Sequence, residues 1–211
     1  MSEQAKTGTT TVAIVCREGV VLGADRRATA GDFIINRDFT KIYNISDDMA
    51  LTIAGTVSDV QLLVKFIKAQ IRLKRVRSTR ELTVQETANL LAGMVYDNIR
   101  KFSAIPGISH FLLGGRDKAG LHVYDIFPDG SVTEVRDYVS SGSGSVMAYG
   151  VLETLYIKNL TVEEGVKLVI KSLNAAIQRD TASGSGFDVI KITKEGIQKV
   201  VGKQIETKVE A

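Results

Sequence analysis

Between residues 9 and 55 short apolar runs alternate with polar breaks. TTTVAIVC, GVVLGAD, the segment around DFIINR, TKIYNI and MALTIAG are separated by stretches such as REG and SDD. Runs of this length with such punctuation predict β-strands. In the first run Val12 and Ile14 occupy one parity and Ala13 and Val15 the other, so both faces of that strand are expected to be covered.

The pattern then changes period. Val60, Leu63, Val64, Ile67 and Ile71 recur at helical spacing, with basic residues around the rest of the circumference. A second helix is predicted from Thr83, which has capping-box spacing to Glu86 ahead of NLLAGMVYDNIRKF, and Pro106 with Gly107 is read as the end of that block. Strands return in SHFLLGG, LHVYDIF and SVTEVRDYV, the last two joined by the turn signal PDG. SSGSGS is read as a tight strand-to-helix turn, because the amphipathic VMAYGVLETLYI follows at once. A last helix is predicted from Thr161, with Glu164 in capping-box position, before FDVIKIT and IQKVV.

The expected order is five strands, two helices, about three strands, two helices and two strands. Strands in runs, covered on both faces, imply two stacked sheets with helices over their outer faces. At 211 residues, 44% of them hydrophobic and 24% charged, the chain can bury such a core as one domain. The single cysteine, Cys16, lies inside VAIVC; it excludes an internal disulfide framework and is read as core packing in a reducing compartment.

The net charge of +3 does not mark the whole chain as a polyanion binder. Seven basic residues from Lys65 to Arg80, with no acid among them, form a stripe interleaved only by Phe66. This is read as a solvated helix face or docking surface, and nucleic-acid binding is not expected. No run reaches the ~18 apolar residues of a membrane span. The opening MSEQAKTG is read as too short and polar for a secretory signal, yet removable.

Candidate chemistry is scarce by familiar routes. His110 and His122 both sit in strand-like contexts, and no metal-ligand cluster, phosphate-binding loop or GxSxG elbow is present. No metal or cofactor is expected. An enzyme built from this chain needs another base, and KTGTTTVAIV at 6–15 suggests one. A free α-amine has a reference pKa of about 7.7–8.0, so roughly a tenth of it is uncharged at neutral pH. A threonine freed at its amino side carries nucleophile and base together. Gly8 permits the tight turn that brings the Thr9 hydroxyl onto the Gly8 carbonyl.

GTTTVAIV, GADRRAT at 23–29, TKIYNI at 40–45, LTIAGTVSD at 51–59, GSGS at 142–145 and QRDTASG at 178–184 together resemble the β subunits of the 20S proteasome, archaeal type. The resemblance runs from Thr9 essentially to the end of the chain. It implies a four-layer αββα sandwich of two antiparallel sheets, an α+β fold of the N-terminal nucleophile hydrolases, in residues 9–211. Residues 1–8 would be a propeptide removed autocatalytically between Gly8 and Thr9. The implied activity is that of a threonine endopeptidase that degrades unfolded polypeptides. The alternative is a non-catalytic ring subunit, against which stand Gly8, Thr9, Asp25 and Lys41, all retained.

The resemblance further implies Thr9 as nucleophile, with Asp25 and Lys41 beside it, and Ser143, Asp180 and Ser183 around its amine. Gly55 would supply the oxyanion N–H. Ala28, Ile53 and Val57 would line an apolar specificity pocket that Phe39 narrows, while Thr29, Gly55 and Val57 would offer backbone groups to an extended substrate. Thr10 and Thr11 are expected to be dispensable for chemistry. Implied partners are other β subunits in a heptameric ring, α-subunit rings stacked on the β rings, and an ATP-dependent unfoldase. The implied location is cytoplasmic, without membrane association.

Overall fold

The computed structural model describes residues 8–205; residues 1–7 of the expected propeptide and the polar tail from 206 lie outside the described residues. Its strands are β1 (Thr11–Cys16), β2 (Gly19–Asp25), β3 (Ala28–Ala30), β4 (Phe33–Asn36), β5 (Ile42–Asn44) and β6 (Met49–Gly55). Helices α1 (Val57–Ser78) and α2 (Val84–Arg100) follow, then β7 (Ser109–Asp117), β8 (Gly120–Ile126), β9 (Val132–Val135) and β10 (Tyr138–Ser141). The chain closes with α3 (Ser145–Leu155), α4 (Val162–Arg179), β11 (Gly186–Thr193) and β12 (Gly196–Gln204).

Two five-stranded antiparallel sheets, β10-β1-β2-β11-β12 and β5-β6-β7-β8-β9, stack face to face, and β3 and β4 form a separate hairpin. The both-faced burial expected of the first strand is realised. Val12 and Ile14 pack with α3 and α4 residues such as Leu152 and Val169, whereas Ala13 meets Leu112 and Val123 between the sheets. On the other side Leu51, Phe111 and Leu113 receive Ile67 of α1 and Leu91 of α2. Three apolar layers thus separate four layers of secondary structure.

Both expected capping boxes form. Thr83 accepts from the Glu86 N–H at 3.1 Å and Thr161 from the Glu164 N–H at 3.2 Å, satisfying amides that a helix start leaves free. Cys16 is buried, and its thiol is pushed up to about 12 by burial and by Glu163 and Glu164. The basic residues of α1 lie on its outer side, Lys68 standing 5.6 Å over the Tyr43 ring, and Arg80, just past the helix end, pairs with Glu86 at 2.7 Å.

Three expectations are corrected. The segment SVTEVRDYV is two strands in different sheets, β9 beside β8 and β10 beside β1, with the chain crossing between layers at Arg136 and Asp137. The Asp137 carbonyl accepts from the Val15 N–H at 2.7 Å, which anchors the crossing. A short extra strand, β3, precedes the DFIINR segment and pairs with β4. The second helix ends at Arg100, and residues 101–108 form a loop before β7.

Leu112 is fully buried between the sheets. Leu112→Ala is expected to lower stability by about 2–5 kcal/mol, the range for a buried leucine truncated beside neighbours that relax only partly. Denaturant unfolding of the two chains measures it.

Candidate active site

The ends of several strands converge at one end of the sandwich. Because the sheets are antiparallel, the start of β1 lies beside the ends of β2 and β10, with Thr11 opposite both Ala24 and Ser141. The ends of β2 and the start of β11 meet there as Asp25 opposite Phe187. In the second sheet the end of β6 and the start of β7 meet as Gly55 opposite Ser109.

Thr9, two residues before β1, is buried. Its hydroxyl donates to the Gly8 carbonyl at 2.5 Å, and the Lys41 ammonium reaches the same carbonyl at 3.4 Å. Lys41 is ion-paired to Asp25 at 2.7 Å, with side-chain exposures of 2% and 0%. Burial of two opposite charges is costly unless every lone pair finds a donor. Here Asp25 Oδ1 also accepts from the Thr10 N–H at 3.0 Å, and Oδ2 accepts from the N–H groups of Arg27 at 3.0 Å and Gly184 at 2.9 Å. The Lys41 carbonyl in turn accepts from the Ile53 N–H at 3.0 Å, which locks the lysine backbone against β6.

Burial pushes the Lys41 ammonium below its ordinary value, while Asp25 chiefly, and Asp180, pull it back up. The fold therefore disfavours protonated Lys41, and that penalty fades as pH rises from the folded value toward the unfolded one.

On the other side of Thr9, its N–H donates to Ser143 Oγ at 3.2 Å. Asp180, at the end of α4, accepts from Ser143 Oγ and Ser183 Oγ, each at 2.6 Å. Since each serine has one proton and Ser183 gives its own to Asp180, the Thr10 hydroxyl is the donor in its 2.7 Å contact with Ser183. Thr10 therefore joins the Asp25 and Asp180 networks through its amide and hydroxyl. The sequence reading, which expects Thr10 to be dispensable for chemistry, does not include this bridge, which no local pattern signals. Thr11 pairs its hydroxyl with Ser141 at 2.8 Å, farther along the strand. Arg27, also unflagged, straps the loop before β11 by donating to the Thr181 carbonyl at 2.7 Å.

Gly55 terminates β6 at φ +121°, where a Cβ would collide with the Ile108 carbonyl. Its N–H direction follows from strand parity. The Ile53 N–H points toward Lys41 beside β5, and the Thr56 N–H points the opposite way, to the Ile108 carbonyl at 2.8 Å. The Gly55 N–H thus points to the β5 side, beyond the end of that short strand. A small cavity of about 20 Å³ lies there, bounded by Thr9, Lys41 and Gly55 together with Ala28, Ile53 and Val57. Thr29 and Phe39 also line it, and so do Ala54 and Val60, which the sequence reading did not single out.

His110 and His122 stand apart from this cluster. His110 bonds to Asp125 at 2.6 Å and His122 to Glu134 at 3.1 Å. Among the described residues no group of three or more histidine, cysteine or acidic side chains is placed to hold a metal.

Stacked antiparallel sheets between helical layers, with a threonine hydroxyl, a buried lysine and a carboxylate gathered where the strands end, define the class: this is the fold of the N-terminal nucleophile hydrolases. The Proteasome family profile, described as "Proteasome subunit", matches residues 5–192. "Proteasome subunit beta" of Ferroglobus placidus is 44% identical over 199 residues, covering 94% of this chain and 93% of that protein. The protein of the same name from Archaeoglobus profundus is 43% identical, covering 94% and 91%, and that from Archaeoglobus fulgidus is 39% identical, covering 98% and 95%. The chain belongs to the proteasome subunit family, and these relatives are archaeal β subunits.

Asp25→Asn removes the main group that favours charged Lys41. The Lys41 titration, followed by NMR of labelled lysine side chains, is expected to move further down in that variant.

Proposed function

We propose that the chain is a catalytic proteasome β subunit, a threonine endopeptidase whose nucleophile is Thr9 Oγ1. The observation that carries this reading is the Thr9 hydroxyl held on the carbonyl of its own preceding peptide bond, with the buried Lys41 ammonium directed at the same oxygen. A subunit that only builds a ring has no use for a buried lysine–carboxylate pair aimed at that bond, so the geometry favours catalysis over a purely structural part.

In the proposed maturation Thr9 Oγ1 adds to the Gly8 carbonyl carbon, with Lys41 stabilising the oxyanion. Collapse breaks the Gly8–Thr9 C–N bond and passes the hydroxyl proton to nitrogen, leaving Gly8 as an ester on Oγ1 and Thr9 with a free amine. Water then hydrolyses the ester, releasing residues 1–8 with a carboxylate at Gly8. Until this happens the acylated nitrogen cannot act as a base.

In turnover the free amine takes the Oγ1 proton as the oxygen attacks a substrate carbonyl, and the Gly55 N–H receives the developing oxyanion. The protonated amine gives its proton to the departing amine, and water resolves the acyl ester. Lys41 lowers the cost of the alkoxide-like oxygen and favours the neutral amine by charge repulsion. Ser143, Asp180 and Ser183 orient the amine and the hydrolytic water. The apolar walls formed by Ala28, Ile53 and Val57 select apolar residues before the cut bond. Gly8 also lines this cavity of about 20 Å³, so its departure in maturation enlarges the space open to a substrate side chain.

Thr29, Gly55 and Val57 offer backbone groups to an extended substrate, which makes binding tolerant of sequence. The proposed setting is a heptameric β ring between α-subunit rings, fed by an ATP-dependent unfoldase in the cytoplasm. No described helix is long and apolar enough to cross a membrane.

The intact mass of the unmutated chain, co-expressed with its partner rings, is expected to show loss of residues 1–8. Retention of those residues on an assembled complex would overturn the reading. Thr9→Ala is expected to keep them and to abolish peptide turnover in the assembled complex.

A further inference from the structure

The residue proposed to bind the oxyanion is itself held in place by a part of the fold distant in sequence. Gly55 cannot shift independently of Ile108, because their backbones are packed too closely for even a Cβ between them. The Ile108 carbonyl accepts from the Thr56 N–H at 2.8 Å, and the Pro106 carbonyl accepts from the Thr56 hydroxyl at 3.3 Å. The backbone around residue 107 therefore sets where Gly55 sits. Yet residues 101–106 are exposed, so the loop needs an anchor of its own.

Asn98, in the last turn of α2, supplies one. Its side-chain nitrogen donates to Asp59 Oδ1 at 3.0 Å and to the Gly107 carbonyl at 2.9 Å. Both partners can only accept, so the group between them must be the amide nitrogen, and its two protons are both used. Gly107 is buried, and a Cβ there would strike the Asn98 amide and lie 2.7 Å from Asp59 Oδ1. Asp59 is in the first turn of α1, where its N–H donates to the Thr56 carbonyl at 3.1 Å. A single amide thus ties together the two segments that flank Gly55 in space: the start of α1, which follows it in the chain, and the loop entering β7, which packs against it.

We propose that Asn98 is a positioning residue for the Gly55 N–H, which it aims by clasping Asp59 and the Gly107 carbonyl. The inference rests on the proposed role of Gly55. A donor aimed at the oxyanion acts mainly in the transition state, so misaiming it lowers kcat while leaving ground-state binding nearly intact.

The test uses the assembled particle carrying Asn98→Leu or Asn98→Ser; the serine keeps a polar surface but is too short to reach both acceptors. Peptide turnover is measured alongside inhibition by a peptide aldehyde, whose carbonyl becomes tetrahedral when a hydroxyl adds to it. Since outright loss of an oxyanion donor costs about 10²–10³ in kcat, a misaimed one is expected to cost about tenfold, with KM within about twofold of the parent. Inhibition by the aldehyde should weaken by a similar factor, and Thr9 should still be the first residue of the processed chain. Unchanged kcat and aldehyde inhibition in an assembled, processed variant would overturn the proposal. So would loss of assembly or processing in the serine variant, which would mark Asn98 as a residue of the fold alone. An unmutated particle that is unprocessed or inactive would instead overturn the threonine peptidase reading itself.

Discussion

The ion pair between Asp25 and Lys41 organises this end of the molecule. Two opposite charges, both almost without solvent contact, are tolerable only if donors surround the carboxylate. Those donors are backbone N–H groups of Thr10, Arg27 and Gly184, which lie in three separate stretches of chain. Asp25 therefore ties down the lead into β1, the turn after β2 and the loop before β11. Once these are held, the Gly8–Thr9 bond has one place to go, beside the lysine. Burial depresses the Lys41 ammonium while Asp25 restores part of its charge. That balance suits a group proposed to steady negative charge on a neighbouring oxygen.

The remainder of the fold supplies rigidity and an edge. Three apolar layers hold the sheets and helices in register, so the strand ends that bear Thr9, Asp25 and Gly55 keep fixed spacings. The shortness of β5 matters as much. Because it ends before reaching Gly55, the N–H there is directed at open space beside Thr9, in contrast to an interior strand amide committed to the ladder. The proposed oxyanion donor is thus a sheet amide freed by a missing neighbour and held against the loop before β7.

Local signals were legible where the chemistry is local. Thr83 with Glu86 and Thr161 with Glu164 announce helix starts because the partners lie three residues apart. Val12, Ala13 and Ile14 announce a strand covered on both sides because each parity is apolar. SVTEVRDYV misled for the same reason: its pattern is continuous, and nothing within it reports that β9 and β10 pair with strands in different sheets. Thr10 was undervalued because its partners, Asp25 and Ser183, are distant in sequence. Asn98 carried no signal at all, since an asparagine in the last turn of a helix is ordinary until Asp59 and Gly107 are brought to it.

By itself the sequence determined the strand and helix inventory to within a few segments, the two-sided core, and the family, because ordered motifs from GTTTVAIV to QRDTASG persist whatever the folded geometry. Only the tertiary structure decided which side chains meet: Lys41 with Asp25, Ser143 with Asp180, the Thr9 hydroxyl with the Gly8 carbonyl. The reason is physical. Periodicity and capping depend on neighbours within one or two turns of chain, whereas a hydrogen bond or a pKa shift depends on distance and burial, which are set when remote strands close on each other.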